Sequence, residues 1–423
     1  MSEKVEVAIV GGGLAGLCCA RTLASRNIPS VVLEASDQAG GRVRTDLVDG
    51  FLLDRGFQIF LTAYPEARAV LDYEALSFRS FSPGAMVAAG GGTFHKLSDP
   101  WKKPLAALAT FMAPVGNPAD KVKVGVLRTR ARMMTVEQIF AQKDDGSTEA
   151  HLEQEGFSTA MIEMFFRPFF RGIFLDDNLE TSRRMFDFVF AMLASGDNVL
   201  PANGMGDIPR QIAEGLPEGT VRLNAPVASV EPGRVRLVSG EEIVCGRVVL
   251  ATEEPVTRQL LGIAGDSAGR SQTTVYFACD DEPPFREPMI VINGEGKGIV
   301  NNLSVQSNVA PTYAPPGRSL VAAACVGDLP LSDEALVAAV RSQLGGWYGA
   351  RAVESWTHLR TYRIEYSLPD QSPGAIERRR AALSGVKGIS VCGDFLENGS
   401  INGAMVSGRK AAEALISELA AVS

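Results

Sequence analysis

Val5-Glu6-Val7-Ala8-Ile9-Val10-Gly11-Gly12-Gly13-Leu14-Ala15-Gly16, running on into a helical pattern from Leu17 to Arg26, decides the fold. An apolar run of strand length passes straight into a glycine turn and then a helix. That order places Gly11, Gly13 and Gly16 at the three glycine positions of a strand-turn-helix dinucleotide site. Gly11 permits the tight turn, Gly13 lets the backbone approach a pyrophosphate without a Cβ, and Gly16 lets the helix pack closely on the sheet. The amides that follow, including those of Leu14 and Ala15, face the anion. After an Asn27-Ile28-Pro29 turn, Ser30-Val31-Val32-Leu33-Glu34 reads as a second parallel strand that ends on a carboxylate with Ala35 beside it. Glu34 is placed to accept hydrogen bonds from both hydroxyls of an adenosine ribose, and its charge repels a 2′-phosphate.

Composition bounds what surrounds this unit. At 423 residues the chain has room for two or three domains of roughly 150 residues each. With 46% hydrophobic and 21% charged residues it is too apolar for a disordered chain and too interrupted for a bundle of membrane spans. A net charge of −8 with scattered basic residues excludes nucleic acid as the expected partner. The six cysteines form neither a metal-binding spacing nor a dense disulfide framework, so a reducing, cytoplasmic setting is expected. Met1-Ser2-Glu3-Lys4 leads directly into the first strand pattern and shows no secretory signal. The apolar stretch Pro104 to Val115 is too short to span a bilayer. The basic, apolar segment Trp101 to Arg132 reads as the solvated face of a helical cap, with peripheral membrane contact kept open because hydrophobic substrates need an entry.

The continuation Glu34-Ala35-Ser36-Asp37-Gln38-Ala39-Gly40-Gly41-Arg42-Val43-Arg44-Thr45 resembles the FAD-binding signature of the flavin amine oxidase, protoporphyrinogen oxidase and phytoene desaturase superfamily. The resemblance implies FAD as cofactor, with pyrophosphate and flavin-neighbour roles for Gly40, Gly41 and Arg42. The chemistry agrees, since two Cβ-free residues allow close approach and a guanidinium offers a fork of charged donors. Asp54-Arg55-Gly56-Phe57-Gln58 is similar to the superfamily's next turn and makes Arg55 and Gln58 candidate neighbours of flavin or substrate. Towards the C-terminus, Gly388 to Asp394 reads as a buried strand ending in Gly-Asp, followed by a loop to Ala404 and a helix from Met405 to Leu419. The same resemblance places Gly393 and Asp394 beside the ribityl-pyrophosphate portion and Ser400, Ile401, Asn402 and Ala404 at the flavin end. There the Ile401 and Asn402 amides and the helix terminus would stabilise negative charge. Val227, in the strand series that follows Thr220, is expected beside adenine.

Between these nucleotide-binding segments the pattern changes. Asn117 to Asp120 opens a helix, Thr135-Val136-Glu137-Gln138 has the form of a capping box, and Thr148 to Glu155 suits another short helix. Met161 to Phe174 concentrates five phenylalanines around Pro168, which interrupts a helix there. Phe165 and Phe169 are candidate linings of an apolar tunnel, with core packing as the alternative. Strand patterns at 271–278, 289–292, 299–305 and 320–326, punctuated by proline-rich loops at 280–285 and 308–318, predict a mostly antiparallel sheet followed by a helix from Ser332 to Gly345. Strand-like segments at 353–360 and 364–369 offer Tyr366 and Leu368 as pocket residues, while His358 reads as structural.

The expected architecture is an α/β fold in which a Rossmann-like FAD-binding domain, built from residues 1–75, 200–255 and 385–423, carries an inserted mixed α+β substrate-binding domain. Residues 76–199 form the helical part of that insertion and residues 256–384 its sheet. The expected activity is FAD-dependent removal of hydrogen from an apolar cyclic or polyene substrate, with oxygen or another electron acceptor restoring the cofactor. A flavin amine oxidase and an FAD-dependent non-redox isomerase are the alternatives. No residue is singled out as catalytic, because a flavin that accepts hydride needs no conventional acid–base pair, and no metal site is expected.

Overall fold

A computed structural model describes residues 3–422 except 266, 268, 281, 282 and 384–387. The residues Met1 and Ser2 of the expected start, part of the loop expected at 280–285, and the expected boundary between residues 384 and 385 lie outside the described residues. The fold is α/β, with helices distributed around two seven-stranded sheets.

The first sheet is centred on Glu3–Val10, which pairs in parallel with Ser30–Leu33 on one side and Glu242–Leu250 on the other. Val7 to Val10 are all essentially inaccessible, the burial expected of a parallel strand covered on both faces. Val221–Arg222 extends the sheet beyond Ser30–Leu33. On the far side the sheet forks. The start of Glu242–Leu250 pairs antiparallel with Arg234–Leu237, whose outer neighbour is Val227–Glu231, while its end pairs in parallel with Ile389–Val391. The chain therefore returns to this sheet twice from distant parts of the sequence. The sequence pattern predicts a strand here only from Arg247, and the structure starts it at Glu242, where the antiparallel branch pairs.

Two helices cover one face of this sheet, Leu14–Ala24 and Ile401–Val422. Their approach depends on glycine. A Cβ on Gly16 would lie 2.0 Å from the Gly11 carbonyl oxygen, and a Cβ on Gly408 would lie 2.0 Å from that of Ala15. Both helices begin earlier than the sequence pattern suggests, at Leu14 rather than Leu17 and at Ile401 rather than Met405. Periodic apolar spacing sets in only where a helix meets the core, and in each case the first turn borders a cavity instead.

The second sheet has the spatial order Thr357–Pro369, Gly269–Cys279, Ser319–Val326, Val300–Val305, Ile290–Asn293, Gly84–Ala88 and Phe94–Ser98. All its pairings are antiparallel except that of Ile290–Asn293 with Gly84–Ala88. The segments expected at 353–360 and 364–369 join into one thirteen-residue strand, Thr357–Pro369, though Val353 and Glu354 belong to helix Ala350–Glu354, and the region expected to be helical, 76–199, contributes the two-stranded hairpin at this sheet's edge. Alternation sorts the side chains. Val275, Phe277, Val291, Leu303 and Val321 pack on one face against Leu336, Val340 and Trp347 of helix Asp333–Tyr348, whereas Tyr276, Ala278, Ile290, Ile292 and Ala322 face the helical region.

That region is held by local chemistry readable in the sequence. Asn117 and Asp120 form a reciprocal capping box on helix Pro118–Arg132, and Thr135 and Gln138 form another on Val136–Phe140. Pro168 does not end the helix. The preceding turn, Ile162–Phe166, is wound as a π-helix, and the helical path continues through Pro168 within Arg167–Phe174. Phe166, Phe170 and Phe174 are buried and cluster with Phe186 of helix Arg183–Ser195.

Gly408→Ala weighs two opposed effects. Helix propensity favours alanine by about 1 kcal/mol, but the added methyl would meet rigid backbone, and overpacking of this kind costs about 1–3 kcal/mol or more. The clash should dominate, so the variant should unfold at lower denaturant concentration than the parent; an equal or higher midpoint would show that the two helices slide apart freely.

Candidate active site

The ends of the first sheet's parallel strands, the helical region and the inner face of the second sheet enclose one continuous cavity of about 680 Å³. Its two halves differ in chemistry.

One half is lined by backbone and charge. Gly11 has a φ of +108°, and a Cβ there would come within 2.7 Å of the Ala251 carbonyl oxygen. A Cβ on Gly41 would come within 3.3 Å of the Gly13 Cα, whereas a Cβ on Gly13 would meet nothing nearer than the Gly41 Cα, at 4.0 Å. The remaining space around Gly13 belongs to the cavity. The Glu34 carboxylate is buried beside it, accepting from the Gly12 N–H at 2.7 Å and from the Ser36 N–H and hydroxyl at 2.9 and 2.7 Å. Leu14, Ala15, Ala35, Gly40, Gly41, Arg42 and Val227 also line this half. Gly16 lies behind the lining, where its role is helix packing.

Arg42 joins segments far apart in sequence. Its Nη2 donates to Asp394 Oδ1 at 2.6 Å, its Nη1 donates to the Ser367 carbonyl at 2.8 Å, and Glu253 lies 3.6 Å from Nε. Burial opposes the guanidinium charge, but Asp394 and Glu253 outweigh it and hold Arg42 still more firmly protonated than usual. Gln58 lines the cavity and supports the same loop, donating from Nε2 to the carbonyls of Arg42 and Arg55, both at 2.8 Å. Arg55 lines the cavity while holding Asp46 through Nε at 3.0 Å and Nη2 at 3.0 Å.

At the C-terminal side, Gly393, Asp394, Ser400, Ile401 and Ala404 line the cavity. The Asn402 side chain does not. Its Oδ1 accepts from the Glu66 N–H at 3.0 Å, towards helix Pro65–Val70, so only its backbone belongs to the helix end at the cavity. The other half of the cavity is apolar and includes Phe57, Tyr64, Phe169, Ile173, Val189, Leu193, Ile290, Ile292 and Leu368. Of the expected pocket residues, Phe169 and Leu368 are present. Phe165 instead packs on Phe166 and Phe169, and Tyr366 is buried behind Arg42 with its hydroxyl 3.2 Å from Glu254. His358 hydrogen-bonds Thr361 and does not line the cavity. Gln272, Asn302 and the Met185, Val189 and Leu193 face were missed, because sequence alternation identifies a strand or helix face without saying what covers it.

Three comparisons bear on this geometry. The family model of flavin containing amine oxidoreductases matches residues 14–416. The chain belongs to that family. Among its relatives, this flavin-family chain is 23% identical to the 15-cis-phytoene desaturase of Synechococcus elongatus, an alignment covering 97% of the chain and 96% of the desaturase. It is 32% identical to the coproporphyrinogen III oxidase of Propionibacterium freudenreichii, but that match covers only 30% of the chain and a quarter, 25%, of the oxidase. A solved putrescine oxidase with putrescine bound superposes with a TM-score of 0.72 at 18% identity, covering 99% of the chain and 100% of that structure, a likeness of fold.

Asp54 anchors the turn that carries Arg55, Phe57 and Gln58. It is fully buried, with Oδ1 accepting from the Thr45 hydroxyl at 2.6 Å and the Met205 N–H at 2.9 Å and Oδ2 accepting from the Tyr313 hydroxyl at 2.9 Å. Burial pushes its carboxyl up to about 6, the three donors only partly offsetting it. The native state therefore keeps a proton that the unfolded chain loses near pH 4. The resulting stabilisation is present at low pH and disappears as pH rises through about 6. Asp54→Asn retains the acceptor and cannot titrate. Between pH 4 and 7 the parent should lose about 2–3 kcal/mol of stability relative to the variant, measured by denaturant unfolding of both proteins; a pH-independent difference would refute the assignment.

Proposed function

We propose that the protein is an FAD-dependent oxidase or dehydrogenase that removes hydrogen from an apolar cyclic or polyene substrate. The observation that carries this reading is the distribution of charge in the cavity. Its acidic lining residues, Glu34, Glu253 and Asp394, all lie in the nucleotide half, and its aromatic lining residues are Phe57, Tyr64 and Phe169. The apolar half offers no carboxylate to an ammonium group and no tyrosine pair to cage an amine, whereas burying an unpaired charge there would be costly. The family description and the putrescine oxidase fold keep amine oxidation as the second reading.

The residues present fit FAD. Gly13 and Gly41 leave room at the cavity that side chains would fill, Glu34 would accept from ribose hydroxyls, and Val227 would meet adenine. The N-terminal amides of Leu14–Ala24 and the Arg42 guanidinium would hold the pyrophosphate. Asp394, with the first turn of Ile401–Val422, would meet the flavin end. The Ile401 and Asn402 N–H groups make no hydrogen bond among the described residues, which leaves them to stabilise negative charge with the helix dipole. FAD, when bound, supplies the two-electron acceptor. The apolar lining orients the substrate and excludes water, and oxygen or another acceptor would complete turnover. In this reading the nucleotide-binding domain comprises 1–75, 200–255 and 385–423, Rossmann-like in topology, and the remainder is the inserted substrate domain. All six cysteines are free and buried, which supports a reducing, cytoplasmic setting.

Purified protein should release about one intact FAD per chain on acid treatment. Mixed anaerobically with porphyrinogens, polyenes and amines, it should lose its oxidised-flavin absorbance with a polyene or porphyrinogen. Reduction by amines alone would transfer the assignment to amine oxidase, and rearrangement of a polyene without net electron transfer would establish an isomerase.

Peripheral contact with an anionic bilayer is part of the same proposal. Among the described residues, no helix is long and apolar enough to cross a membrane. Among the described residues, eight of thirteen exposed large apolar side chains lie between Trp101 and Met133, with Leu105 fully exposed and Leu108, Met112 and Met133 more than 70% exposed. Residues 101–134 carry seven Lys or Arg and one Asp in a chain of net charge −8, a pairing of basic and apolar groups suited to anionic headgroups. Helix Pro118–Arg132 packs against Arg183–Ser195, whose Val189 and Leu193 line the cavity. The protein should co-sediment with phosphatidylserine-containing vesicles and much less with phosphatidylcholine alone. Replacing Leu105, Leu108 and Met112 by Ser should abolish binding while preserving flavin content; binding unchanged by those substitutions would place the contact elsewhere.

A further inference from the structure

Asn302 is a polar side chain in the apolar half of the cavity, where Gln272 also stands with its Oε1 accepting from the Phe57 N–H at 3.0 Å. Asn302 is 5% exposed, lines the cavity and pairs across the sheet with Ile292, another lining residue. Its neighbour Asn301 is fully buried. Adjacent residues in a regular strand point to opposite faces, but the register here slips. Val300 pairs with Cys325 and Asn302 with Ala324, so Asn301 is the extra residue of a β-bulge. Both amides consequently reach helix Arg167–Phe174.

The orientation of the two amides follows from one acceptor that cannot donate. The Pro168 carbonyl accepts from Asn301 Nδ2 at 3.0 Å, which fixes the Asn301 amino group. The same Nδ2 lies 3.0 Å from Asn302 Oδ1, so the Asn302 carbonyl is also committed, and its amino group is the end left over. That Nδ2 makes no hydrogen bond among the described residues. Gly172 is part of the arrangement, because a Cβ there would lie 2.7 Å from Asn302 Oδ1 and 2.8 Å from Asn301 Nδ2. Tying the helix to the sheet requires only Asn301 Nδ2, and the Asn302 carbonyl serves to orient it. The free amino group has no structural use, and leaving a donor unpaired among apolar side chains is unfavourable unless something occupies it.

We infer that Asn302 Nδ2 is a specificity determinant that donates a hydrogen bond to an oxygen acceptor, a carbonyl, hydroxyl or carboxylate, on an otherwise apolar substrate. This rests on the apolar-substrate reading and narrows it. A pure hydrocarbon would leave the donor unpaired, whereas an oxygenated skeleton satisfies it and is held in one orientation along the cavity. Rejection of the analogue that lacks the acceptor is the stronger form of selectivity, since the protein group is then stranded.

The test uses flavin-loaded protein and two probes of nearly equal shape, cyclododecane and cyclododecanone, displacing fluorescent 1,6-diphenylhexatriene. Uptake of the fluorophore reports on the apolar cavity independently of Asn302; if it does not bind in a competable manner, the apolar-substrate reading fails and the inference falls with it. If it binds, Asn302→Leu should weaken cyclododecanone relative to cyclododecane by about three- to tenfold compared with the parent. A ratio that is the same in both proteins overturns the inference. The infrared carbonyl stretch of carbon-13-labelled cyclododecanone bound to the parent protein provides a readout that needs no variant. A shift to lower frequency than in hexane, lost in Asn302→Leu where that variant folds, supports donation by Asn302, and a hexane-like stretch in the parent overturns it.

Discussion

The contact between Arg42 and Asp394 is the constraint around which the cavity is organised. The two residues are more than 350 positions apart in sequence, yet a 2.6 Å charge-assisted hydrogen bond joins them, and the same guanidinium holds the Ser367 carbonyl at the end of the second sheet's edge strand. Three chain segments meet on one planar group. A buried carboxylate without its cation is strongly destabilising, by about 3–5 kcal/mol for a well-buried pair, so the pair effectively forbids arrangements in which the final segment is displaced. Arginine suits this position better than lysine because its fork makes both bonds at once and cannot be deprotonated.

Glycine supplies the complementary constraint. Where Arg42 draws segments together, Gly11, Gly16 and Gly408 allow backbones to meet at distances no side chain would permit. At Gly13 and Gly41 the missing side chains leave room at the cavity instead. The same residue type thus performs two different tasks, close packing behind the lining and vacant space within it. Within Gly11 to Gly16 the motif separates the two tasks, whereas no local motif marks Gly408.

The cavity's chemical gradient follows from which secondary structures end or pass beside it. Parallel strands and helix N-termini end at one half and contribute amides, carboxylates and an arginine. The second sheet and the helical region pass alongside the other half and contribute alternating side chains, which are apolar because the same faces build the core. Polar groups enter that half only where regularity is interrupted, as at the bulge beside Asn302.

The half of the cavity lined by backbone and charge was legible as structure in the sequence because its turns and strands are local. Gly11 to Gly16, the strand ending at Glu34 and the Gly40-Gly41-Arg42 turn each carry their structural meaning within a few residues, and the capping boxes at Asn117 and Thr135 do so within one helical turn. The strands of the second sheet were also recognisable, since alternation is a period-two signal. Tertiary structure alone decided which faces meet. It withdrew Phe165, Tyr366 and the Asn402 side chain from the cavity lining, introduced Gln272, Asn302, Val189 and Leu193, joined Arg42 to Asp394, and forked the first sheet at Glu242–Leu250. The physical reason is range. A turn or a cap is determined by neighbours along the chain, whereas the lining of a cavity depends on the register between strands hundreds of residues apart and on a one-residue bulge, and neither leaves a periodic trace in the sequence.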